Sequence, residues 1–508
     1  FTINGVKFET NYDGSQDEDT KMNNDVLNSF FEPFFDLDDY TKASEGRIIA
    51  INEGRLVDFL SQQPRLKKFE TNIEEFFFNE GHVELLPGLI VINLNLRSIT
   101  AREGDSQSLL GQQIQKMVSS ELWTKCEGCS VAEKCFIKYN ADTFRDSSVG
   151  LEVTNRLEWL LRTIVYKREL HVTMRDLRSM IAYMLTRDYS CEQVKKLIDI
   201  VQTEGLRIYY WQYYYFNITA PAIKPNVASF DLPTLDSNDR LIRMLRETDI
   251  AEVAWPAVDR DLYYKEKTPE NYLLFSDRKQ NLIDDFNAVG MKPIWQMDDE
   301  NERNEIECIQ KVFVRHQYFE GNLKFKRRLP YRYITDFYES LRDESADKLA
   351  ESKLNLAKAI SISEGCENAE LSKAHLLLAS SQSNDPISKS YRRFPIDEFE
   401  LFVNKTDHLT QYVEYESDSF IFRHKAEKHI QLTVSLDLYE MLKFIQNGFS
   451  PSVNDLQGRF IELQVFKNLL QSKTYKEIIV TKNNQKFTVI RLDENKHIVF
   501  ESLKQENN

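Results

Sequence analysis

The chain has 508 residues, of which 42% are hydrophobic and 29% charged, and this length and composition are typical of a globular protein with two to four domains. Its 65 basic and 80 acidic residues give a formal charge of -15, which disfavours nonspecific adhesion to nucleic acid or anionic membranes. No apolar run approaches the roughly 20 residues that a membrane helix needs, and Phe1 opens no signal peptide. We therefore expect a cytoplasmic protein without membrane contact.

The first predicted elements are two β-strands that end in polar residues. Arg47 to Ile51 is apolar and β-branched, as in a strand buried on both faces, and Asn52 follows it before a stretch with helical spacing. A second apolar run, Leu89 to Leu94, leads to Asn95 and Arg97. In open parallel α/β sheets ligands bind at the carboxyl ends of the strands, so these polar side chains are candidate ligand contacts. The alternative for each asparagine is a turn former or a helix cap.

Three of the six cysteines then fall within ten positions, in "WTKCEGCSVAEKC". Cys126 and Cys129 form a Cys-x2-Cys turn in which two thiolates can face one ion, and Cys135 follows closely. In a reducing compartment such spacing indicates metal binding more than disulfides. The alternative is that the thiols are small buried residues.

A structural zinc site requires a fourth ligand. The candidates are His171, Cys191, Cys308 and Cys366. Cys191 is favoured because it lies in a turn between two predicted helices that should pack beside the other cysteines. Four thiolates would leave no open position on the metal, so the site would be structural rather than catalytic.

Downstream of the cysteines the spacing of apolar residues is helical. Helices are predicted at 108–119, at 157–165 and from 174 onward. Thr173 and Asp176 have the spacing of a capping box at the start of the last helix. Arg175 and Arg178 lie three residues apart in its first turns, where cations oppose the helix dipole. This arrangement indicates either an external anion or pairing with a neighbouring carboxylate.

Two segments further along the chain, one rich in aromatic residues and one rich in basic residues, raise the question of nucleic-acid binding. Tyr209 to Phe216 is dense in aromatic residues, for which packing in a core is favoured over base stacking. Lys324 to Arg332 is a basic segment that we interpret as a solvated face or a partner contact. Nucleic-acid binding, if present, is expected to be weak and sensitive to salt.

The remaining sequence changes period from helix to strand. Residues 236–360 are predicted to be mostly helical, and strands follow in "FELFV", "QYVEYE" and "SFIFRH", with a helix at 438–446. "KEIIVTKNNQKFTVIRLDENKHIVFE" is predicted to form a three-stranded meander.

The order of these motifs resembles the later half of AAA+ or STAND-type ATPases encoded in bacterial anti-phage defence islands, including the ATPase of phosphorothioation-dependent restriction. The resemblance is carried by "IAINEGRLVDFL", "INLNLRS", "CFIKYNADTF" and "LHVTMRDLRS", and spans about residues 45–205. It implies that Asn52 senses the γ-phosphate and positions the attacking water. It also implies that Arg175 or Arg178, on a helical lid, contacts the nucleotide, with Arg97 as a further nucleotide-contacting candidate.

One part of that pattern is missing. The chain has no G-x-x-x-x-G-K-[ST] motif, and "FFDLDDY" is a doubtful strand for the acidic residues that hold Mg²⁺. We therefore expect an N-terminal segment with the P-loop to precede Phe1; ATP and Mg²⁺ are expected cofactors only in that case. The predicted function is a subunit of a defence NTPase, forming homo-oligomers and contacting other defence proteins. The alternative is a non-enzymatic, zinc-stapled scaffold for partner proteins or nucleic acid.

The predicted fold is α/β, then mostly α, then α+β. Four parts are expected: a partial AAA+-like core with a parallel sheet at 1–105, a helical lid with the cysteine zinc knuckle at 106–205, a mostly helical region at 206–360, and an α+β domain at 361–508.

Overall fold

The structure is a computed structural model and describes most, but not all, of the chain. The described residues are 1–15, 22–78, 83–94, 97–102, 106–147, 149–168, 172–201, 210, 240–256, 259–260, 299–300, 303, 311, 314–321, 324–366, 371–380, 388–405, 413–450, 460–473, 477–482 and 486–503. By their contacts they divide into two compact units: residues 1–97 with 405–415, and residues 98–404 with 416–508. The predicted four-part boundaries stay a prediction.

The first unit combines a small sheet with three helices. The strands are β1 (Thr2–Ile3), β2 (Val6–Asn11) and β3 (Gly46–Ile49), and the helices are α1 (Asn23–Phe31), α2 (Glu53–Ser61) and α3 (Lys67–Phe78). The sheet order is β1-β2-β3, with β1 antiparallel and β3 parallel to β2. The Phe8 ring covers position 46 of β3, and this position requires glycine because a Cβ there would lie 2.3 Å from the ring.

The core of the first unit is aromatic and lies among its helices. Phe31 of α1 stacks on Phe59 of α2 with ring centroids 5.5 Å apart, and Phe69 of α3 lies 5.9 Å from Phe31. Leu89 and Val91 pack against this cluster. They belong to the run that was predicted to be a second buried strand, but residues 89–94 form no strand. These two apolar side chains are half-buried against the core among the helices instead of against a neighbouring strand.

The expectation of an AAA+-type parallel sheet at 1–105 is therefore not met. Among the described strands of this unit, the β2–β3 pair alone is parallel, and the sheet is small and mixed. The strand before Asn52 is present, but Ile48 is 52% exposed, so β3 is not buried on both faces.

The second unit begins with a group of packed helices. They are α4 (Leu109–Met117), α5 (Phe136–Arg145), α6 (Val149–Arg168), α7 (Met174–Thr186), α8 (Cys191–Val201) and α9 (Arg240–Arg246). The predicted helices at 108–119 and 157–165 are confirmed, with Ser108 as the N-cap of α4. The predicted capping box is also present: Thr173 Oγ1 accepts the N–H of Asp176, and Asp176 accepts the N–H of Thr173.

Helix α6 passes through the core of this unit and carries buried charges that are compensated. Glu158 accepts hydrogen bonds from Arg102 and Ser108. Arg162 donates to the carbonyl of Thr100 at 3.0 Å and stacks on Trp159. Buried charged side chains are tolerated only when partners of this kind compensate them, so the partners of Glu158 and Arg162 explain why charged residues lie on the buried face of α6.

The rest of the second unit contains further helices and two antiparallel sheets. The helices are α10 (Ile334–Arg342), α11 (Ala346–Ser363), α12 (Leu371–Ala374), α13 (Leu436–Gln446) and α14 (Ile461–Ser472). The strands are β4 (His375–Ala379), β5 (Ser388–Pro395), β6 (Phe399–Val403), β7 (Phe420–His424), β8 (Gln431–Val434), β9 (Glu477–Lys482), β10 (Lys486–Leu492) and β11 (Ile498–Leu503).

The sheet orders are β11-β10-β9-β5-β4 and β6-β7-β8, antiparallel throughout. The predicted meander is confirmed as β9, β10 and β11, in a register that pairs Val489 with Ile479 and Leu492 with Ile498. Residues 413–416 of the predicted strand "QYVEYE" form no strand. At the coarse level the chain is a mixed α/β protein with a mostly helical middle and C-terminal antiparallel sheets. Within the described residues, no helix is long and apolar enough to cross a bilayer.

Candidate functional site

Asn52 lies just beyond the carboxyl end of β3 and caps α2. Its side-chain Oδ1 accepts the N–H of Gly54 at 3.0 Å, so the helix-cap alternative correctly describes what the oxygen does. The residue is exposed, and its amide NH2 group makes no hydrogen bond with any described residue. The cap therefore fixes the side chain and leaves one donor group available to a ligand.

Each aspartate of "FFDLDDY" has a local role. Asp36 pairs with Arg65 at 2.6 Å and Asp38 pairs with Lys68. Asp39 accepts the N–H of Thr41 at 3.1 Å. The residues before them form a short 3-10 turn, Glu32–Phe34, and no strand. This segment therefore shows no strand-end carboxylate of the kind that holds Mg²⁺ beside a P-loop.

Arg97 is engaged by a carboxylate of its own unit. Its Nε and Nη2 donate to the two carboxylate oxygens of Glu414 at 2.5 and 2.9 Å. A bidentate pair of this kind fixes the guanidinium and occupies the donors that a phosphate would use. Its role as a nucleotide contact stays a prediction; Asn95, its neighbour in the sequence, lies outside the described residues.

Arg175 and Arg178 both lie in the first two turns of α7 and are exposed. Neither makes an ion pair or hydrogen bond with any residue that the structure describes. Asp176 lies between them in the sequence, but its carboxylate accepts from Thr173 in the capping box. The neighbouring-carboxylate alternative thus finds no support in the described part of the chain, and both cations are accessible from solvent.

The four cysteines named as metal ligands come from three places in the helical group. Cys126 ends the 3-10 segment Ser120–Cys126, and Cys129 donates its N–H to the Cys126 carbonyl at 3.3 Å. Gly128, between them, has φ +78°, a conformation that favours glycine. Cys135 directly precedes α5, and Cys191 is the first residue of α8.

An aromatic contact joins the second and third of these places. Phe136, next to Cys135, meets Tyr189, two residues before Cys191, with ring centroids 5.8 Å apart and planes at 88°. Both rings are buried. Edge-to-face packing of this kind contributes about 0.5–1.5 kcal/mol beyond burial, so the start of α8 is held close to the start of α5.

The thiols influence one another's ionisation. Burial raises the pKa of Cys126, and the neighbouring Cys135, Cys191 and Cys129 raise it further. Burial also raises the pKa of Cys135, and the backbone N–H groups of Lys138 and Ile137 oppose that effect by favouring the thiolate.

Of the other fourth-ligand candidates, one lies in a different core and two are not described. Cys366 is 1% exposed and belongs to the core of the five-stranded sheet, with Leu377 and Tyr391. His171 and Cys308 lie outside the described residues. In the described part of the chain, no three or more His, Cys, Asp or Glu side chains are arranged to hold a metal ion.

Described residues of the aromatic run and of the basic segment make contacts inside the second unit. Tyr210 is completely buried, as the core interpretation predicts, and its hydroxyl donates to Glu320 at 2.8 Å; the rest of the aromatic run lies outside the described residues. In the basic segment, Arg328 is buried and pairs with Asp259, and Lys326 lies 4.3 Å from the centre of the Trp159 ring. The other three cations of this segment, Lys324, Arg327 and Arg332, are exposed.

The structure also contains a buried polar cluster that sequence reasoning did not nominate. Glu320 is 2% exposed and accepts from the hydroxyls of Tyr210 and Tyr139, while His316 Nε2 lies 3.5 Å from its carboxylate. Its tyrosines lie 110 and 181 residues from Glu320 in the chain, so no local sequence signal could have found the cluster.

Compared with known proteins, the chain matches no family model, no curated protein and no solved structure. The resemblance to defence ATPases therefore rests on the short motifs of residues 45–205.

Proposed function

We propose that this chain is a subunit of a bacterial anti-phage defence NTPase of the AAA+ or STAND kind, in which ATP binding and hydrolysis control oligomer assembly and switch an effector. The observation that carries the proposal is the exposed pair Arg175 and Arg178, which have no partner among the described residues. Two cations at a helix N-terminus are unfavourable with respect to the helix dipole. A bound phosphate offsets that cost, and arginine is well suited to phosphate oxygens.

Asn52 supplies the second part of the proposal. Its oxygen is held by the Gly54 N–H, and its NH2 group is available to donate to a phosphate oxygen or to the attacking water. A donor that is fixed before the reaction stabilises developing charge without reorganisation. The proposal gives Asn52 the role that the asparagine after the fourth core strand has in the AAA+ pattern, and α4 to α8 the role of the helical lid, without requiring the parallel sheet of that pattern. ATP with Mg²⁺ is the cofactor that this function requires.

The test uses the protein expressed from its whole reading frame. ATP affinity is measured by calorimetry and turnover by phosphate release, together with oligomeric state with and without nucleotide. We expect ATP binding, turnover and a nucleotide-dependent change in oligomer size. A protein that binds neither ATP nor GTP would overturn the proposal.

One observation favours the scaffold as a second candidate. Strand β11 is the edge of the five-stranded sheet, and its Ile498 and Phe500 are 63% and 68% exposed. A long apolar edge is a template for strand addition by a partner protein. Under this function, Phe500→Lys abolishes capture of partner proteins, and Asn52→Ser has no effect on it. Loss of ATP turnover in Asn52→Ser with unchanged partner capture would separate the two functions.

A further inference from the structure

We propose that the exposed cations of residues 324–332 bind the phosphate backbone of a nucleic-acid duplex. The contact surface consists of Lys324, Arg327 and Arg332, with Arg342 beside them, and is called the basic surface below. The proposal is independent of nucleotide binding, since none of these residues is assigned a role in it.

A short turn places two of these cations side by side. The N–H of Arg327 donates to the carbonyl of Lys324 at 3.1 Å, which closes the first turn of the 3-10 segment Phe325–Arg328. Side chains three positions apart lie on the same side of such a turn, which rises about 2.0 Å per residue, so the two cations leave the backbone about 6 Å apart. Both are exposed.

The other two cations of the turn hold it on the protein. Arg328 is 2% exposed and pairs with Asp259. The Lys326 ammonium lies 4.3 Å from the centre of the Trp159 ring of α6. A binding surface that is fixed beforehand loses less conformational entropy on binding than a flexible arm does. The turn therefore presents its exposed cations from an anchored backbone.

No carboxylate of the described residues neutralises the exposed cations of this segment. Lys324, Arg327 and Arg332 make no ion pair and no side-chain hydrogen bond in that part of the chain. Arg327 lies instead over Trp255, with its Cζ 4.8 Å from the ring centre. Stacking uses the flat face of a guanidinium and leaves the N–H groups at its edge available to phosphate oxygens. In a chain with a formal charge of -15, three such cations in nine positions indicate a negatively charged partner.

A fourth exposed cation borders the same surface. The rings of Trp159 and Tyr338 lie with centroids 5.2 Å apart, and Arg342 lies over Tyr338, 5.5 Å from its ring centre. Arg342 also donates to the Tyr338 hydroxyl at 2.7 Å. Lys326 and Arg342 therefore flank one pair of rings.

The rings support the cations and do not form a platform for bases. Trp159 is 5% exposed, and Tyr338 is half-buried with Arg342 over it. Recognition of a single strand without sequence preference combines cations with aromatic rings on which bases stack. A surface of cations without open rings contacts the backbone alone, so a duplex, with its denser phosphates, is the partner that fits. Such binding is independent of sequence.

The acidic charge of the whole chain does not prevent this contact. At physiological ionic strength, solvent-exposed charges more than about 8 Å apart are largely screened from each other. The cations of the basic surface therefore dominate the potential that a phosphate meets there. A duplex carries one charge for about every 1.7 Å of its axis, so several phosphates can meet these cations at once.

The first experiment measures the binding of a labelled DNA duplex of about 30 base pairs by fluorescence anisotropy, without nucleotide and over a series of salt concentrations. We expect an affinity that falls roughly 40-fold between 50 and 200 mM salt, as about three phosphate contacts predict. No binding at 50 mM salt would overturn the proposal, and so would tighter binding of the single strand. Tighter binding to phosphatidylserine vesicles than to the duplex would overturn it in favour of a membrane surface.

The second experiment locates the contact. The combined variant Lys324→Ala, Arg327→Ala, Arg332→Ala should weaken duplex binding at least about 10-fold at 50 mM salt and flatten its salt dependence. The matched control removes three exposed lysines of α4 and α8 instead, Lys116→Ala, Lys195→Ala and Lys196→Ala, and should bind like the unmutated protein. Equal losses in the two triple variants would show that only net charge matters and would overturn the proposal.

A single substitution keeps the test independent of the triple variant's folding. Arg327→Gln should lower the slope of log affinity against log salt by about one, because one phosphate contact is lost. Arg327→Lys keeps the charge and should restore the slope. An unchanged slope in Arg327→Gln would exclude Arg327 from the contact surface.

Discussion

Arg97 and Glu414 lie 317 positions apart in the chain and form a bidentate ion pair, with Nε and Nη2 of the arginine donating at 2.5 and 2.9 Å. The pair ties residues 405–415 to the unit that is otherwise built from residues 1–97. The hydrogen bonds from Arg97 hold the pKa of Glu414 below its usual range.

This pair predicts an acid-sensitive contribution to stability. A lowered folded-state pKa stabilises the fold above the ordinary glutamate pKa of about 4.3, and the contribution is lost as pH falls through the lower folded-state value. Glu414→Gln should therefore destabilise the first unit by about 1 kcal/mol at neutral pH. The difference in stability between Glu414→Gln and the unmutated protein should shrink below about pH 4. Hydrogen exchange of α2 and α3 measures the stability of the first unit at each pH, and Glu84→Gln, at an exposed position, is the control. A stability difference between Glu414→Gln and the unmutated protein that grows on acidification would contradict the prediction.

Asn52 is predicted to act in turnover more than in binding. Asn52→Ala should leave ATP affinity nearly intact and lower turnover by about 100-fold, as expected for a contact made mainly in the transition state. The same substitution removes the cap of α2, which costs about 1 kcal/mol. Asn52→Ser separates the two effects, because serine also caps helices but has no NH2 group. Full turnover in Asn52→Ser would exclude the amide as the donor.

Arg175 and Arg178 are predicted to bind phosphate in the ground state as well. Arg175→Ala or Arg178→Ala should weaken ATP binding or nucleotide-driven assembly about 10-fold, because each removes a charge-assisted hydrogen bond. Lys116→Ala removes the same charge from an exposed position on α4 and is the control. Equal effects in all three variants would show that only net charge matters.

The capping box of α7 is predicted to stabilise the helix that carries these arginines. Thr173→Ala leaves the Asp176 N–H without its side-chain partner and should cost about 1 kcal/mol of unfolding free energy. Thr173→Ser keeps the oxygen and should be nearly neutral. Urea denaturation followed by tryptophan fluorescence measures both, and an equal loss in the two variants would point to the threonine methyl group instead.

The sequence alone predicted local elements well, because their causes are local. The capping box at Thr173 and the buried face of α7 follow from residues three or four positions apart. The meander from Glu477 to Leu503 follows from alternating apolar residues and short polar turns. The cap at Asn52 is equally local, because its side-chain oxygen accepts the N–H of Gly54, two residues later.

Tertiary structure decided what depends on distant partners. The run at 89–94 has the alternation of a strand, yet it pairs with none of the described strands, and Leu89 and Val91 pack on the core among the helices instead. The partner of Arg97 lies 317 residues away, and that of Arg328 lies 69 residues away. Cysteine spacing placed three of the cysteines within ten positions, but the ring contact of Phe136 with Tyr189 sets the start of α8 beside the start of α5, and Cys366 lies in another core. Such contacts follow from which apolar surfaces exclude water together, and no local pattern specifies them.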